Sequence, residues 1–353
     1  MIKSPFPWFG GKSKVAQLVW DRFGDVANYV EPFFGSGAVL LSRPTSAGTE
    51  TINDLDCMVA NFWRSVQNAP DEVAEHADNP VNEADQHARH LWLCSQEEFR
   101  ERMKTEPDFY DTKIAGWWVW GQCIWIGSGW CAKQLPHLGN AGTGVHRKLP
   151  HLGDAGKGLN RQLPHLGDAG TGLACVSDPT SGTPDRTFLI QYMRELAERL
   201  RRVRVCCGDW GRILGPSVTF KHGITGVFLD PPYADTAERT DALYAADSLD
   251  VAHAVRQWAL ESADNPQLRI ALCGYDGEHD IPASWECVEW KARGGYGSQG
   301  DNAARENAKR ERIWFSPHCL KPSQGLFSEL MGTAMRDADD WVERTLIEQE
   351  QNL

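Results

Sequence analysis

Between residues 26 and 67 the chain runs twice through the same succession of apolar and polar positions. "VANYVEPFFGSGAVLL" (26–41) reads as a short apolar strand, a glycine turn and the start of a helix. "TETINDLDCMVANFWRSVQ" (49–67) then predicts a second strand ending at Asn53 and Asp54, and a helix that places Val59, Phe62, Trp63 and Val66 on one face. This is β-α-β order. The pattern turns helical and polar over 84–104, and "IAGWWVWGQCIWIGSGW" (114–130) holds five of the fifteen tryptophans, expected as core. Order resumes with an amphipathic helix from 187 and the strand "RVRVCC", which ends at Gly208 and Asp209. The strand "GVFLD" (226–230), a helix over 249–262, and strands "LRIALCGY" (268–275) and "RIWFSP" (312–317) complete the series. Such alternation predicts an α/β fold with a doubly wound, mixed but mostly parallel sheet. Residues 71–184 interrupt it and are expected to form an inserted subdomain, with 1–70 and 185–320 as the main domain and 321–353 as a helical tail.

A repeat of 14 residues occupies 135–174: "LPHLGNAGTGVHRK", "LPHLGDAGKGLNRQ" and "LPHLGDAGTGLA". Units this short and glycine-rich are no helices, and three copies are expected to stack as turns or hairpins. His137, His151 and His165 recur at equal spacing, but each sits in the same local turn, so a shared structural part is expected rather than a metal site. Lys133, Arg147 and Lys148, with Lys157 and Arg161, make the repeat mildly basic, which suits tracking of phosphates.

With 353 residues, 41% of them hydrophobic, the chain can bury one large core. No stretch approaches the roughly 20 apolar residues of a membrane span, and "MIKSPFPWFGGKSK" lacks a secretory apolar core, so a cytoplasmic protein is expected. Ten cysteines include no C-x-x-C pair and are expected as reduced, mostly buried thiols. The formal charge of −12 argues against a nucleic-acid partner only on average, because Lys291, Arg293, Arg305, Lys309, Arg310 and Arg312 gather in one late segment.

The chemistry concentrates at predicted strand ends. Glu31, Phe33, Gly35, Ser36 and Gly37 lie where the first strand meets its helix, and the glycines let backbone approach a ligand. There is no third glycine for a dinucleotide and no Gly-Lys-Ser/Thr for a triphosphate. Asp54, at the end of the second strand, is placed to accept from ribose hydroxyls, which points to an adenosine-bearing cofactor. Asp209 is another acid at the same edge. Taken singly, each of these acids reads as a cap or turn residue; together with the glycine turn they read as a site. Asp230 follows an apolar strand, and Pro231 and Pro232 forbid further ladder or helix, holding the chain extended. A carboxylate and the Pro231 carbonyl are thereby aimed as paired acceptors, and Tyr233 offers a ring for stacking, an arrangement suited to a planar amine.

In this order, "PFPWFGGK", "YVEPFFGSG", "INDLD", "CCGDW" and "DPPY" resemble the Dam-type DNA adenine-N6 methyltransferases of the alpha-group motif order, over most of 4–70 and 185–316. The resemblance implies a Rossmann-like catalytic domain that uses S-adenosyl-L-methionine, needs no metal and acts on double-stranded DNA. It implies that Trp8 and Lys12 belong to the cofactor pocket, Lys12 facing the methionine carboxylate and Glu31 the ammonium. Phe33, Gly35, Ser36 and Gly37 would shape that pocket, Asp54 would hold the ribose, Asp209 the cofactor adenine, and Asp230 to Tyr233 would do the chemistry on a flipped base. The region before "DPPY" becomes a target-recognition subdomain, and Arg293, Arg305, Lys309 and Arg310, with Lys133, Arg147 and Lys148, become DNA contacts. The repeats lie outside the family's common core, so the resemblance carries no recognition sequence, and inserted regions of this kind make a phage origin an expectation. Two other readings stay open: a methyltransferase for RNA adenine or another planar amine, and a DNA-binding module without activity. The sequence does not reveal a restriction endonuclease partner.

Overall fold

The computed structural model describes residues 2–8, 10–45, 48–125, 130–131, 186–233, 249–290 and 310–321. Among these, strands β1 (Asn28–Glu31), β2 (Thr49–Asp54), β3 (Val203–Cys207), β4 (Thr225–Leu229), β5 (Leu268–Tyr275), β6 (Glu286–Glu289) and β7 (Glu311–Phe315) form one sheet in the order β3-β2-β1-β4-β5-β7-β6. The first five are parallel, and β7 lies antiparallel to both β5 and β6. The mixed, mostly parallel α/β sheet expected from the alternation is therefore present. The winding reverses direction between β1 and β4, and in open α/β sheets such a reversal opens a crevice at the carboxyl ends of the strands.

Side-chain alternation explains why both faces are covered. Tyr29 of β1 and Phe228 of β4 join one apolar cluster, while their neighbours Val30, Val227 and Leu229 join another. With a period of two, a strand apolar at every position must have cover above and below. Helices α1 (Ala16–Phe23), α3 (Cys57–Asn68) and α8 (Arg186–Leu200) contribute to the first cluster, with α7 (Thr112–Ile124) packed on α3, and α9 (Leu249–Ser262) contributes to the second. The remaining helices are α2 (Ala38–Leu41), α4 (Pro70–Ala77), α5 (Glu83–Cys94) and α6 (Glu97–Thr105).

The polar helical pattern over 84–104 resolves into α5 and α6, because Ser95 and Gln96 both turn their side chains back to the Trp92 carbonyl. Asn82 caps α5 and Asp111 caps α7 by accepting backbone N–H groups three residues on. The tryptophan-rich α7 is apolar nearly all round, and Trp118 and Trp120 are buried as core. Trp118 meets Phe6 edge-to-face at 4.9 Å and lies against Phe62 of α3, so the N-terminal segment is clamped between α7 and α3. All nine described cysteines are free thiols, five of them buried. The repeats and the tail after 321 lie outside the described residues.

Candidate active site

The carboxyl ends of β3, β2, β1 and β4 stand side by side, and each carries an acid at or just beyond its last residue: Asp209, Asp54, Glu31 and Asp230. The turn after β1 is closed by backbone. Gly35 and Gly37 have φ of 48° and 71°, where a side chain is strained. A Cβ on Gly35 would also collide with the Trp8 indole, which is how "PWFGG" and "PFFGSG" come to share one site. The Gly35 N–H donates to Asp54 Oδ2 at 3.0 Å. Asn53 ties the neighbouring turns together, donating to the carbonyls of Pro32 and Gly208 at 3.1 and 2.9 Å. Ser36 is buried within this turn, and Phe33, half-buried, stacks on Trp210 beyond β3 with centroids 6.4 Å apart.

Electrostatics distinguish these acids. Burial, then the charge of Asp56, push the Asp54 carboxyl up to about 7, although it accepts from Gly35 and Asp56 N–H groups. Glu31 is pushed well above the carboxylate range by burial, against the pull of the Tyr29 hydroxyl that donates to it at 2.8 Å. Asp209 is exposed and caps its own turn by accepting from the Gly211 N–H at 2.9 Å. Asp54 and Asp209 thus serve their turns as well as any ligand.

Asp230 is the centre of a second group. Its Oδ2 lies 2.9 Å from Lys12 Nζ, a buried ammonium that also donates to the Gly10 carbonyl at 2.6 Å. Glu311, buried at the start of β7, is 4.0 Å from the same ammonium. Burial alone would lower the Lys12 ammonium, but Asp230 and Glu311 hold it above the ordinary lysine range. The Tyr233 hydroxyl stands 2.8 Å from Glu311 Oε2 and 3.2 Å from Asp230 Oδ1. Burial and then these two acids push the phenol well up, so it keeps its proton. Pro231 is buried and Pro232 half-buried.

In this arrangement Lys12 neutralises Asp230, where the resemblance implies a partner for a methionine carboxylate. Likewise the Tyr233 ring, expected to offer a stacking face, is buried edge-to-face on Tyr275 at 4.6 Å. Arg310, expected as a DNA contact, lies over that same Tyr275 ring at 5.3 Å. Arg293, Arg305, Lys309, Lys133, Arg147 and Lys148 lie outside the described residues. Sequence reasoning missed Glu311, Tyr275 and Trp290, whose half-buried ring sits 5.5 Å from Lys12 Nζ. The available signal for Glu311 was a single acid separated by one residue from the apolar run "IWF".

A sheet edge with four strand-end acids, one of them paired to a buried lysine, can hold a polar ligand rich in donors and positive charge, and can polarise an amine. Among the described residues no group of three or more His, Cys, Asp or Glu could hold a metal ion, and no helix is long and apolar enough to cross a membrane. Residues 8–113 match the family model described as D12 class N6 adenine-specific DNA methyltransferase. Comparison with curated proteins finds no significant match.

Proposed function

We propose, for a chain that carries a D12 class N6 adenine-specific DNA methyltransferase domain over residues 8–113, that the carboxyl edge of the sheet binds S-adenosylmethionine and a flipped-out DNA adenine side by side and methylates the adenine N6. One observation carries this reading: Asp230 stands at the reversal of the sheet, next to the β1 strand whose glycine turn is tied to Asp54, and is held there by Lys12. The donor set fits the cofactor, because Glu31, Asp54 and Asp209 offer acceptors for an ammonium, ribose hydroxyls and an adenine amino group, and Phe33 with Trp210 offers flat apolar surface. When bound, S-adenosylmethionine supplies a methyl group already activated on a positively charged sulfur.

The chain's own part is acceptance and alignment. The lone pair of adenine N6 is delocalised into its ring, so the amine is a poor nucleophile. Asp230 and the Pro231 carbonyl would accept its two N–H groups and stabilise the positive charge that develops on nitrogen as the N–C bond forms and the methyl–sulfur bond breaks, its electron pair staying on sulfur. The surplus N6 proton then leaves by way of Asp230 to solvent. Because the base must leave the duplex to arrive here, flipping is part of the reading. Region 71–184 and the segment 293–312 are its DNA-contacting parts, and Tyr233 lines the base pocket.

Tritiated S-adenosylmethionine with duplex DNA, followed by nucleoside analysis, tests this directly. Labelled N6-methyladenine is expected from the intact protein and none from Asp230→Ala. No labelled N6-methyladenine from the intact protein, or the same yield from Asp230→Ala, would overturn it.

A further inference from the structure

We infer that Glu311 is a positioning residue for methyl transfer, which acts by drawing the Tyr233 hydroxyl away from Asp230 and so leaving Asp230 Oδ1 open to the substrate amine. This rests on the reading of the Asp230 site as the place where N6 is methylated.

A phenol has one proton to donate. Tyr233 has two carboxylates within reach, Glu311 at 2.8 Å and Asp230 Oδ1 at 3.2 Å, and the shorter contact takes the proton. Of the two oxygens on Asp230, Oδ2 is already engaged by Lys12 at 2.9 Å. Were Glu311 absent, the Tyr233 hydroxyl would turn to Oδ1, and the carboxylate would meet an incoming amine with each oxygen already accepting one hydrogen bond and so a weaker acceptor. Glu311 prevents this from a fixed place. It pairs with Tyr275 across the β5–β7 ladder, and Tyr275 packs on the Tyr233 ring, so one strand pair sets both the acceptor and the ring.

Glu311 also sets the local charge. Beside the Asp230–Lys12 pair, Glu311 adds a second, buried carboxylate near a site where positive charge develops on N6. A glutamine at 311 would remove that charge, and its amide N–H could itself occupy Asp230 or the phenol oxygen.

A double-mutant cycle separates this from a structural role. Methyl transfer to duplex DNA is followed in a single turnover at saturating S-adenosylmethionine and DNA, with affinities for both measured separately and folding checked by thermal melting. Glu311→Gln is expected to slow transfer by about 10- to 100-fold while both affinities stay within about threefold. In the Tyr233→Phe background, which has no hydroxyl to withdraw, the same substitution is expected to cost much less. Glu311→Asp, which keeps the charge with a shorter reach, is expected to recover part of the rate. A Glu311→Gln rate within twofold of the parent overturns the inference, as does an equal loss in the Tyr233→Phe background. Should the glutamine variant fail to fold, an unchanged rate in Glu311→Asp overturns it equally. A parent protein that methylates no DNA adenine brings down the Asp230 reading and this inference together, whereas an active parent with an indifferent Glu311 brings down this inference alone.

Discussion

Lys12 holds together two acids that would otherwise repel each other in a buried space. Lys12→Met would leave Asp230 and Glu311 without their cation, and removal of one partner from a buried ion pair costs about 3–5 kcal/mol. Urea unfolding at neutral pH should show a loss of that order, with transfer activity abolished. Asp54 predicts a pH effect of its own. Its folded carboxyl titrates near 7 against about 4 in the unfolded chain, so the stability it contributes is complete below about 4 and is lost as pH rises through about 7. Ribose hydroxyls donate to the ionised form, so S-adenosylmethionine affinity, read by calorimetry between pH 6 and 8, should strengthen as pH rises. In Asp54→Asn it should be weak and flat across that range. At this scale, motif order made Lys12, Asp54, Asp230 and Tyr233 legible as candidates, because each sits in a short stretch whose neighbours restrict the backbone. Glu311 was not legible: its partner Tyr233 is 78 residues away in sequence, and a lone acid between Arg310 and Arg312 reads as a solvent-facing residue.

Helix α7 shows how elements meet. Gly116 lets it lie against the end of α4, where a Cβ would strike the His76 side chain and come within 2.8 and 2.9 Å of His76 and Ala77 backbone atoms. Backbone cannot yield as a flexible side chain can, so Gly116→Ala should destabilise the fold by about 1–3 kcal/mol in urea unfolding. The major strands and α3, α8 and α9 were legible because each carries a long apolar period of its own. Two elements lacked one. Helix α4 follows α3 after Ala69 alone, its start marked by Pro70 and the acids Asp71 and Glu72 in the first turn but by no apolar period. Strand β6, "ECVE", is short and mostly polar, and exists as a strand because β7 supplies its partner. The break between α5 and α6 was hidden for a similar reason: the side-chain bonds to Trp92 that end α5 disturb no hydrophobic period.

For the whole molecule, the sum of charges and the charge that DNA meets are different quantities. A chain with 48 acidic against 36 basic residues must hold phosphates through a local basic face if it holds them at all. Replacing Arg293, Arg305, Lys309 and Arg310 by glutamine should reduce the slope of log affinity against log salt by about 3 to 4, measured by fluorescence anisotropy with duplex DNA. Deletion of one 14-residue repeat tests the second basic region in the same assay, and an unchanged affinity and slope would rule out a phosphate-tracking role for the repeat.

The strand order also constrains synthesis. Of the described strands, β7 is made last, yet it is inserted between β5 and β6 and brings Glu311 to a lysine near the amino terminus. While the ribosome is still adding residues before 311, β6 has no neighbour to pair with and Lys12 faces Asp230 alone. A growing chain that already displays every named motif is therefore still an incomplete enzyme, and truncation just before β7 removes an interior strand of the sheet where a cut at an edge strand would take only a border.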